Sequence, residues 1–219
     1  MARSPTCSPS CSIAATTRLT RDDKGLLTAS GAFEAYSALS LVGNSRDDML
    51  ETTEGSWVSQ KAGPLFQRNS WPGFIHEGDT YKWIEVHIRE QILIAYEGKH
   101  AVFVTRVSTG AGGEDPDNET STPKGMWKVQ AKHVSATMTG DQVENDYELQ
   151  DVPYVQYFQG GYALHAAFWH EKFGTPVSHG CVNLSPRDAA WLFEWTLPEV
   201  PSQWHGAEAN GEGTLLFIH

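Results

Sequence analysis

The sequence has no surplus of positive charge, no long apolar run and no cysteine framework, and each absence narrows what the chain can be. With 16 Lys and Arg against 27 Asp and Glu, the formal net charge is −11. Nucleic acids and anionic membrane surfaces need a cationic footprint, so neither is expected as the main partner. No apolar stretch approaches the ~20 residues that a membrane-spanning helix requires. The opening segment MARSPTCSPSCSIAATTRLTR is rich in Ser, Thr, Pro and Arg. It holds no continuous apolar segment of about 7–15 residues, so no secretory signal is expected there. Cys7, Cys11 and Cys181 are the three cysteines, and an odd number cannot all pair. Cys7 and Cys11 are expected in a flexible tail, either free or bridged to each other, which leaves Cys181 as the odd thiol.

What remains is ample for folding. The chain has 219 residues, 40% of them hydrophobic, enough for one large domain or a domain with an appendage. Residues 1–75 are expected as a poorly organised N-terminal arm or the remnant of a small β-module. Within them, Phe33, Tyr36 and Leu39 at helical spacing predict a short helix over Ala29–Val42. Arg46–Asp48 and Glu51–Gly55 read as linker, and Gly63-Pro64 and Pro72-Gly73 interrupt the apolar islands that follow. Residues 76–219 are expected to form the main domain. There Ile84, Val86 and Ile88 alternate with Glu85 and His87, the mark of a half-buried strand. Ile92–Tyr96, a turn at Glu97-Gly98-Lys99 and Ala101–Val107 continue it as a β-meander. Ser108–Gly113 is glycine-rich but no Gly-Lys-Ser/Thr follows it, so it is not a phosphate cradle. Met126–Ala131, Val155–Phe158 and Tyr162–His165 are further strands. The long polar connection Lys132–Asp151 is expected to be a lid loop over the site. Ser185 as N-cap, Pro186 and Asp188 open a helix that runs to about Trp195, and Thr214–Ile218 reads as a buried last strand. The expected fold class is mostly β, a sandwich or barrel with one or two short helices and a lid loop.

The chemistry concentrates in Ser178-His179-Gly180-Cys181-Val182-Asn183. A lone cysteine is often an inert buried side chain. Here Gly180 strips bulk from beside the sulfur, and Gly174, Pro176 and Pro186 place it in loop-rich backbone. A thiol attacks as the thiolate and needs a base. His165, His170 and His179 are the candidates. His179 lies two residues from Cys181, on the same side of an extended segment. His165 ends a strand, an odd place for an imidazole that serves packing alone. Backbone N–H groups around Gly180 and Cys181 suit an oxyanion site, and Ser178 and Asn183 suit orienting roles. Zinc held by His165, His170, His179 and Cys181 is the competing reading, weakened by the lack of any paired ligand motif.

Tyr162-Ala163-Leu164-His165, Trp169-His170, Phe173-Gly174-Thr175-Pro176 and the hexamer together resemble the L,D-transpeptidase catalytic domain, the YkuD-like family. That family's signature is a histidine, a spacer, then Ser/Thr-His-Gly-Cys-x-Asn or Arg. The resemblance runs from about Tyr81 to His219 and includes Ser108-Thr109-Gly110 and Thr122-Pro123-Lys124-Gly125. It implies a mostly β fold with an open cleft and a cysteine acyltransferase that takes peptidoglycan stem peptides as donor and acceptor. By resemblance Cys181 is the nucleophile and His165 the base, steadied by the carbonyl of Ala166. His179, Gly180 and Cys181 would line the oxyanion site, supported by Ser178 and Asn183. Tyr154, Tyr157 and Trp169 are candidate substrate-wall residues. Attack on the L-to-D amide of a tetrapeptide stem would release D-alanine, and an amine or water would resolve the thioester. An L,D-carboxypeptidase, a protein-anchoring ligase and a non-catalytic wall-binding module are the alternatives. The resemblance implies no cofactor or metal, a monomer, and a place in the cell envelope.

Overall fold

The computed structural model describes residues 10–12, 16–21, 26–33, 38–46, 48–62, 65–66, 70–140 and 147–219. The chain divides into two compact units, Met1–His76 with Phe103–Thr105, and Glu77–Val102 with Arg106–His219.

The first unit holds β1 (Ser10–Ser12), β2 (Thr16–Arg21), β3 (Leu27–Phe33), β4 (Ala38–Arg46), β5 (Met49–Thr52), β6 (Trp57–Ser59) and β7 (Leu65–Phe66). They form one sheet in the order β3-β2-β6-β5-β4-β1-β7, with Leu41, Leu50 and Val58 as a buried cluster. The helix expected over Ala29–Val42 is replaced by β3 and β4, with Tyr36 outside the described residues. Spacing of three apolar residues is a weak signal, and the pairing of β3 with β2 and of β4 with β1 and β5 overrides it. Of the expected linker at 51–55, Glu51 and Thr52 end β5 and the rest is the tight turn into β6, closed by Gly55 N–H on the Thr52 carbonyl (3.0 Å). Cys11 belongs to β1 rather than to a flexible tail, while Cys7 lies outside the described residues.

The second unit holds β8 (Lys82–His87), β9 (Ile92–Glu97), β10 (His100–Arg106, apart from Phe103–Thr105), β11 (Gly125–Lys128), β12 (Ala131–Gly140), β13 (Tyr147–Gln159), β14 (Tyr162–Ala166), β15 (Val182–Leu184), α1 (Pro186–Trp195), β16 (Gly206–Glu208) and β17 (Leu215–Ile218). Two five-stranded sheets result, ordered β10-β9-β8-β17-β11 and β15-β14-β13-β12-β16. Strand β8 is buried on both faces rather than one: Trp83, Glu85 and His87 on one side and Ile84 and Val86 on the other are all buried, while β9 and β17 pair with its two edges. The Trp83 ring stacks on Tyr96 at 4.4 Å, and its indole N–H donates to the Gly98 carbonyl (2.7 Å), so this large side chain is buried with its one polar group satisfied.

Helix α1 begins as the sequence predicts. The Ser185 hydroxyl accepts from the Asp188 N–H (3.2 Å), and Pro186 sits where its missing N–H costs nothing. Its buried face of Ala189, Leu192 and Phe193 packs on β13 and β14. At the other end the Lys132 ammonium donates to the carbonyls of Phe193 and Thr196, which the helix itself leaves without partners. Burial lowers the Lys132 pKa to about 8.

The expected lid loop at Lys132–Asp151 is a long hairpin of β12 and β13, with residues 141–146 outside the described residues. A hairpin can leave one face in water, so its polar composition is compatible with strands. Met138 pairs with Leu149 across it.

Candidate active site

Strands β14 and β15 pair in parallel, Leu164 with Val182 and His165 with Asn183. Cys181 directly precedes β15 and packs with Ala163, Met138, Val152 and Val155. Side chains alternate across a sheet, so the register turns His165 and Asn183 to the same side. The cleft there, ≈ 180 Å³, is lined by Cys181, His165, His170, His179, Ser178, Asn183 and Trp169, with Met138, Leu149 and Val177 as its apolar wall.

The hexamer is clamped by the loop after β10. Ser108 and Asn183 exchange backbone hydrogen bonds (2.9 and 2.8 Å), the Ala111 N–H donates to Ser178 (2.7 Å), and the Val177 and Ser178 N–H groups donate to Thr109 (2.9 and 3.1 Å). The loop is fixed in turn by Gln91, whose carboxamide donates to the Ile88 carbonyl and the Thr109 hydroxyl and accepts from the Thr109 N–H (2.9 Å). Inside the hexamer the Ser178 hydroxyl donates to the Cys181 carbonyl and accepts from the Gly180 N–H (3.1 Å). Ser178 therefore shapes the turn that carries the thiol.

Gly180 is required twice over. Its φ of +114° is rarely open to an L side chain, and a Cβ there would collide with the Tyr162 ring.

The electrostatics follow from burial. Cys181 is 8% exposed and unpaired with any other cysteine. Burial pushes its pKa up to about 11, against a smaller opposing effect of the Ala163 backbone. Burial also lowers the His165 pKa to about 4, opposed by the Ala166 carbonyl and reinforced by His170. The resting pair is therefore a neutral thiol and a neutral imidazole, not a thiolate and an imidazolium. His165 Nδ1 lies 3.0 Å from the Ala166 carbonyl, which can only accept. The ring proton is thus on Nδ1, and Nε2 keeps its lone pair for a proton from elsewhere. His170 is committed differently. Its Nδ1 accepts from the Lys172 N–H (3.1 Å), which leaves Nε2 protonated; Asn183 Nδ2 lies 2.9 Å from it, and turning that carboxamide over would put its oxygen, otherwise without a partner, in the accepting place.

Of the residues singled out from sequence, the fold brings Cys181, His165, His179, Ser178, Asn183 and Trp169 to one cleft, with Gly180 and Ala166 in its framework. Trp169 stacks beside His165 at 5.8 Å. Tyr154 and Tyr157 do not line the cleft. The Tyr154 ring faces Phe193 of α1 (5.6 Å), and Tyr157 packs against the cluster that surrounds Cys181. Met138, Leu149 and Gln91 were not legible as site residues. The first two sit in a polar stretch that gave no apolar pattern. Gln91 acts only through a loop close to it in space.

The family model of the L,D-transpeptidase catalytic domain matches residues 81–215. YciB of Bacillus subtilis (strain 168), itself assigned as an L,D-transpeptidase only provisionally, is 26% identical over 143 residues. That overlap takes in 53% of this chain, which spans about three-fifths (61%) of that relative's length. An L,D-transpeptidase from Mycobacterium smegmatis superposes with a TM-score of 0.50 at 19% identity, over 83% of this chain and 82% of that one, a likeness of fold. The catalytic domain of an E. faecium L,D-transpeptidase has a TM-score of 0.49 at 23% identity, over 65% of this chain and 99% of its own.

Proposed function

The chain belongs to the L,D-transpeptidase catalytic-domain family, and from that premise we propose that it is a cysteine-dependent L,D-transpeptidase acting on peptidoglycan stem peptides in the bacterial cell envelope. The observation that carries the proposal is the shared cleft of Cys181 and His165, with His165 Nδ1 tied to the Ala166 carbonyl.

The proposed reaction begins with the neutral pair. As Cys181 Sγ bonds to the carbonyl carbon of the L-to-D amide, its proton passes to His165 Nε2. Negative charge moves to the substrate oxygen, where the backbone N–H groups of His179 and Cys181 stabilise it, the Gly180 N–H being held by the Ser178 hydroxyl. The imidazolium then protonates the leaving amine, the C–N bond breaks, and D-alanine departs. The Ala166 carbonyl favours the imidazolium while it exists. An acceptor amine attacks the thioester, gives its proton to His165, and releases the cross-linked product and the thiol. A separate catalytic acid is not needed, because each proton taken by His165 is returned within the same half-reaction.

The test is a mass measurement on the full chain incubated with a disaccharide-tetrapeptide. D-alanine release together with an acyl adduct mapped to Cys181 is expected, and Cys181→Ala should show neither. Release that persists in Cys181→Ala would end the proposal. A cross-linked dimer identifies transpeptidation, whereas a tripeptide alone identifies the L,D-carboxypeptidase variant of the same chemistry.

A further inference from the structure

A second group of titratable side chains stands on the other sheet of the same unit, away from the strands that carry Cys181 and His165. Strands β8 and β17 run parallel, with Phe217 beside Glu85 and Ile218 beside Val86. The ladder continues past β17, since the His219 N–H donates to the Val86 carbonyl (3.0 Å) and the His219 carbonyl accepts from the Ile88 N–H (2.9 Å). Alternation then sends Glu85 and His87 of one strand and His219 of the other to a single face.

The side chains converge there. Glu85 Oε1 lies 3.0 Å from His219 Nε2, and Glu85 Oε2 lies 3.4 Å from His87 Nε2. The three potential ligand atoms fall within 4.8 Å of one another. The two imidazole rings are 4.3 Å apart at 66°. The Glu85 side chain is 2% exposed and that of His87 10%, while His219 at 42% opens the group to solvent.

We propose that Glu85, His87 and His219 form a binding site for a zinc-class divalent transition metal. Zinc binds imidazole nitrogen at ~2.0–2.1 Å and carboxylate oxygen at ~2.0–2.2 Å, so its tetrahedral ligands stand about 3.3 Å apart. The two carboxylate–imidazole contacts, 3.0 and 3.4 Å, lie near that value but run through different oxygens of Glu85, so a small turn of the carboxylate would present one oxygen to the ion. Two imidazoles and a carboxylate select zinc, cobalt or nickel over calcium and magnesium, which take oxygen shells. Three protein ligands leave a fourth position, on the His219 side, for water. The surroundings also suit a metal. The Glu90 carboxylate faces His87 Nδ1 at 3.9 Å, on the far side of the ring from the proposed metal, where an outer carboxylate would steady a ligating imidazole. Phe217 stacks on the His219 ring at 4.6 Å and limits its rotation. Metal entry would replace the proton-bridged contacts between Glu85 and the imidazoles with three bonds to one ion, joining the ends of β8 and β17. The consequence is stability of that sheet, not a step at Cys181.

The experiment uses the full, tag-free chain in a Cys181→Ala background, so that the thiol cannot supply a ligand. Cobalt(II) is titrated in and read by its visible d–d bands, and zinc is then used to displace it. Expected results are one cobalt per chain with a tetrahedral-type spectrum, and a thermal midpoint about 5 °C or more higher at a hundredfold excess of zinc over Kd. His219→Ala, at the most exposed ligand, should weaken binding at least tenfold, and Glu85→Gln should do the same, with circular dichroism unchanged. If Glu85→Gln fails to fold, His219→Ala alone decides. Absence of stoichiometric binding to the Cys181→Ala chain overturns the proposal, as does a His219→Ala variant that binds as tightly as its parent. In either case the three side chains would be a hydrogen-bonded array only.

Discussion

Burial acts in opposite directions on the Cys181 thiol and the His165 imidazole, and both effects should be visible in stability. Across the window from the ordinary imidazole value of 6.5 down to about 4, the unfolded chain takes up a proton at His165 that the folded chain refuses. Stability therefore falls as pH falls through that window, by at most about 1.4 kcal/mol per pH unit for this group. In urea titrations His165→Gln should flatten that part of the profile. Between about pH 9 and 11 the unfolded chain loses a thiol proton that the folded chain keeps, so stability falls as pH rises. Cys181→Ser should remove that loss, and an unchanged alkaline slope would mean the thiol is not held protonated. For activity, His165→Gln should lower kcat by roughly 10²–10⁴ if the imidazole is the proton carrier. Gly180→Ala faces both the left-handed backbone and the Tyr162 ring. It should cost about 1–3 kcal/mol in thermal or urea unfolding.

At the scale of elements, two devices outside the hexamer invite tests. Gln91 joins the β8–β9 turn to the loop that clamps Ser178 and Asn183. Gln91→Leu would leave the buried Thr109 N–H without its acceptor, a loss of about 1–3 kcal/mol, and should reduce activity although Gln91 does not line the cleft. Activity untouched by a clearly destabilising Gln91→Leu would show that the clamp has slack. The β12–β13 hairpin supplies Met138 and Leu149 as a cross-strand pair in the cleft wall. Replacing both with Ser should raise KM several-fold and leave kcat within about twofold, because a wall contributes binding common to substrate and transition state. The meander from Lys82, the α1 cap and the hexamer were legible because each is a local signal, whether alternation, a capping serine or adjacent reactive groups. The hairpin was not. Asp151 and Tyr154, both at positive φ within β13, break the regular strand conformation, and register shifts mark both its pairings.

For the whole molecule, the net charge of −11 governs encounters. Stem-peptide carboxylates make the proposed polymeric substrate anionic as well. Raising salt from about 0.01 to 0.15 M shortens the screening length from ~30 to ~8 Å and should speed turnover of intact wall material about twofold or more. Slower turnover in salt would mean that a local cationic surface dominates. The first unit was least legible of all. Its strands β2 and β3, and β4 and β5, pair as neighbours in the chain, but both pairings carry register shifts, so no clean period-two pattern marked them and the helical spacing at Phe33 and Leu39 was the stronger local cue. In the second unit the hairpin and the buried charge at Glu85 and Lys132 were not legible, the latter because a sequence does not reveal which polar side chains will find partners. The protonated state of Cys181 also bears on how long the molecule lasts. Peroxides and other oxidants act on thiolates. A sulfur at 8% exposure that keeps its proton to about pH 11 offers them little. Such a chain should survive hours in air or dilute peroxide with its thiol intact, and spend its reactivity only on a substrate that fills the cleft.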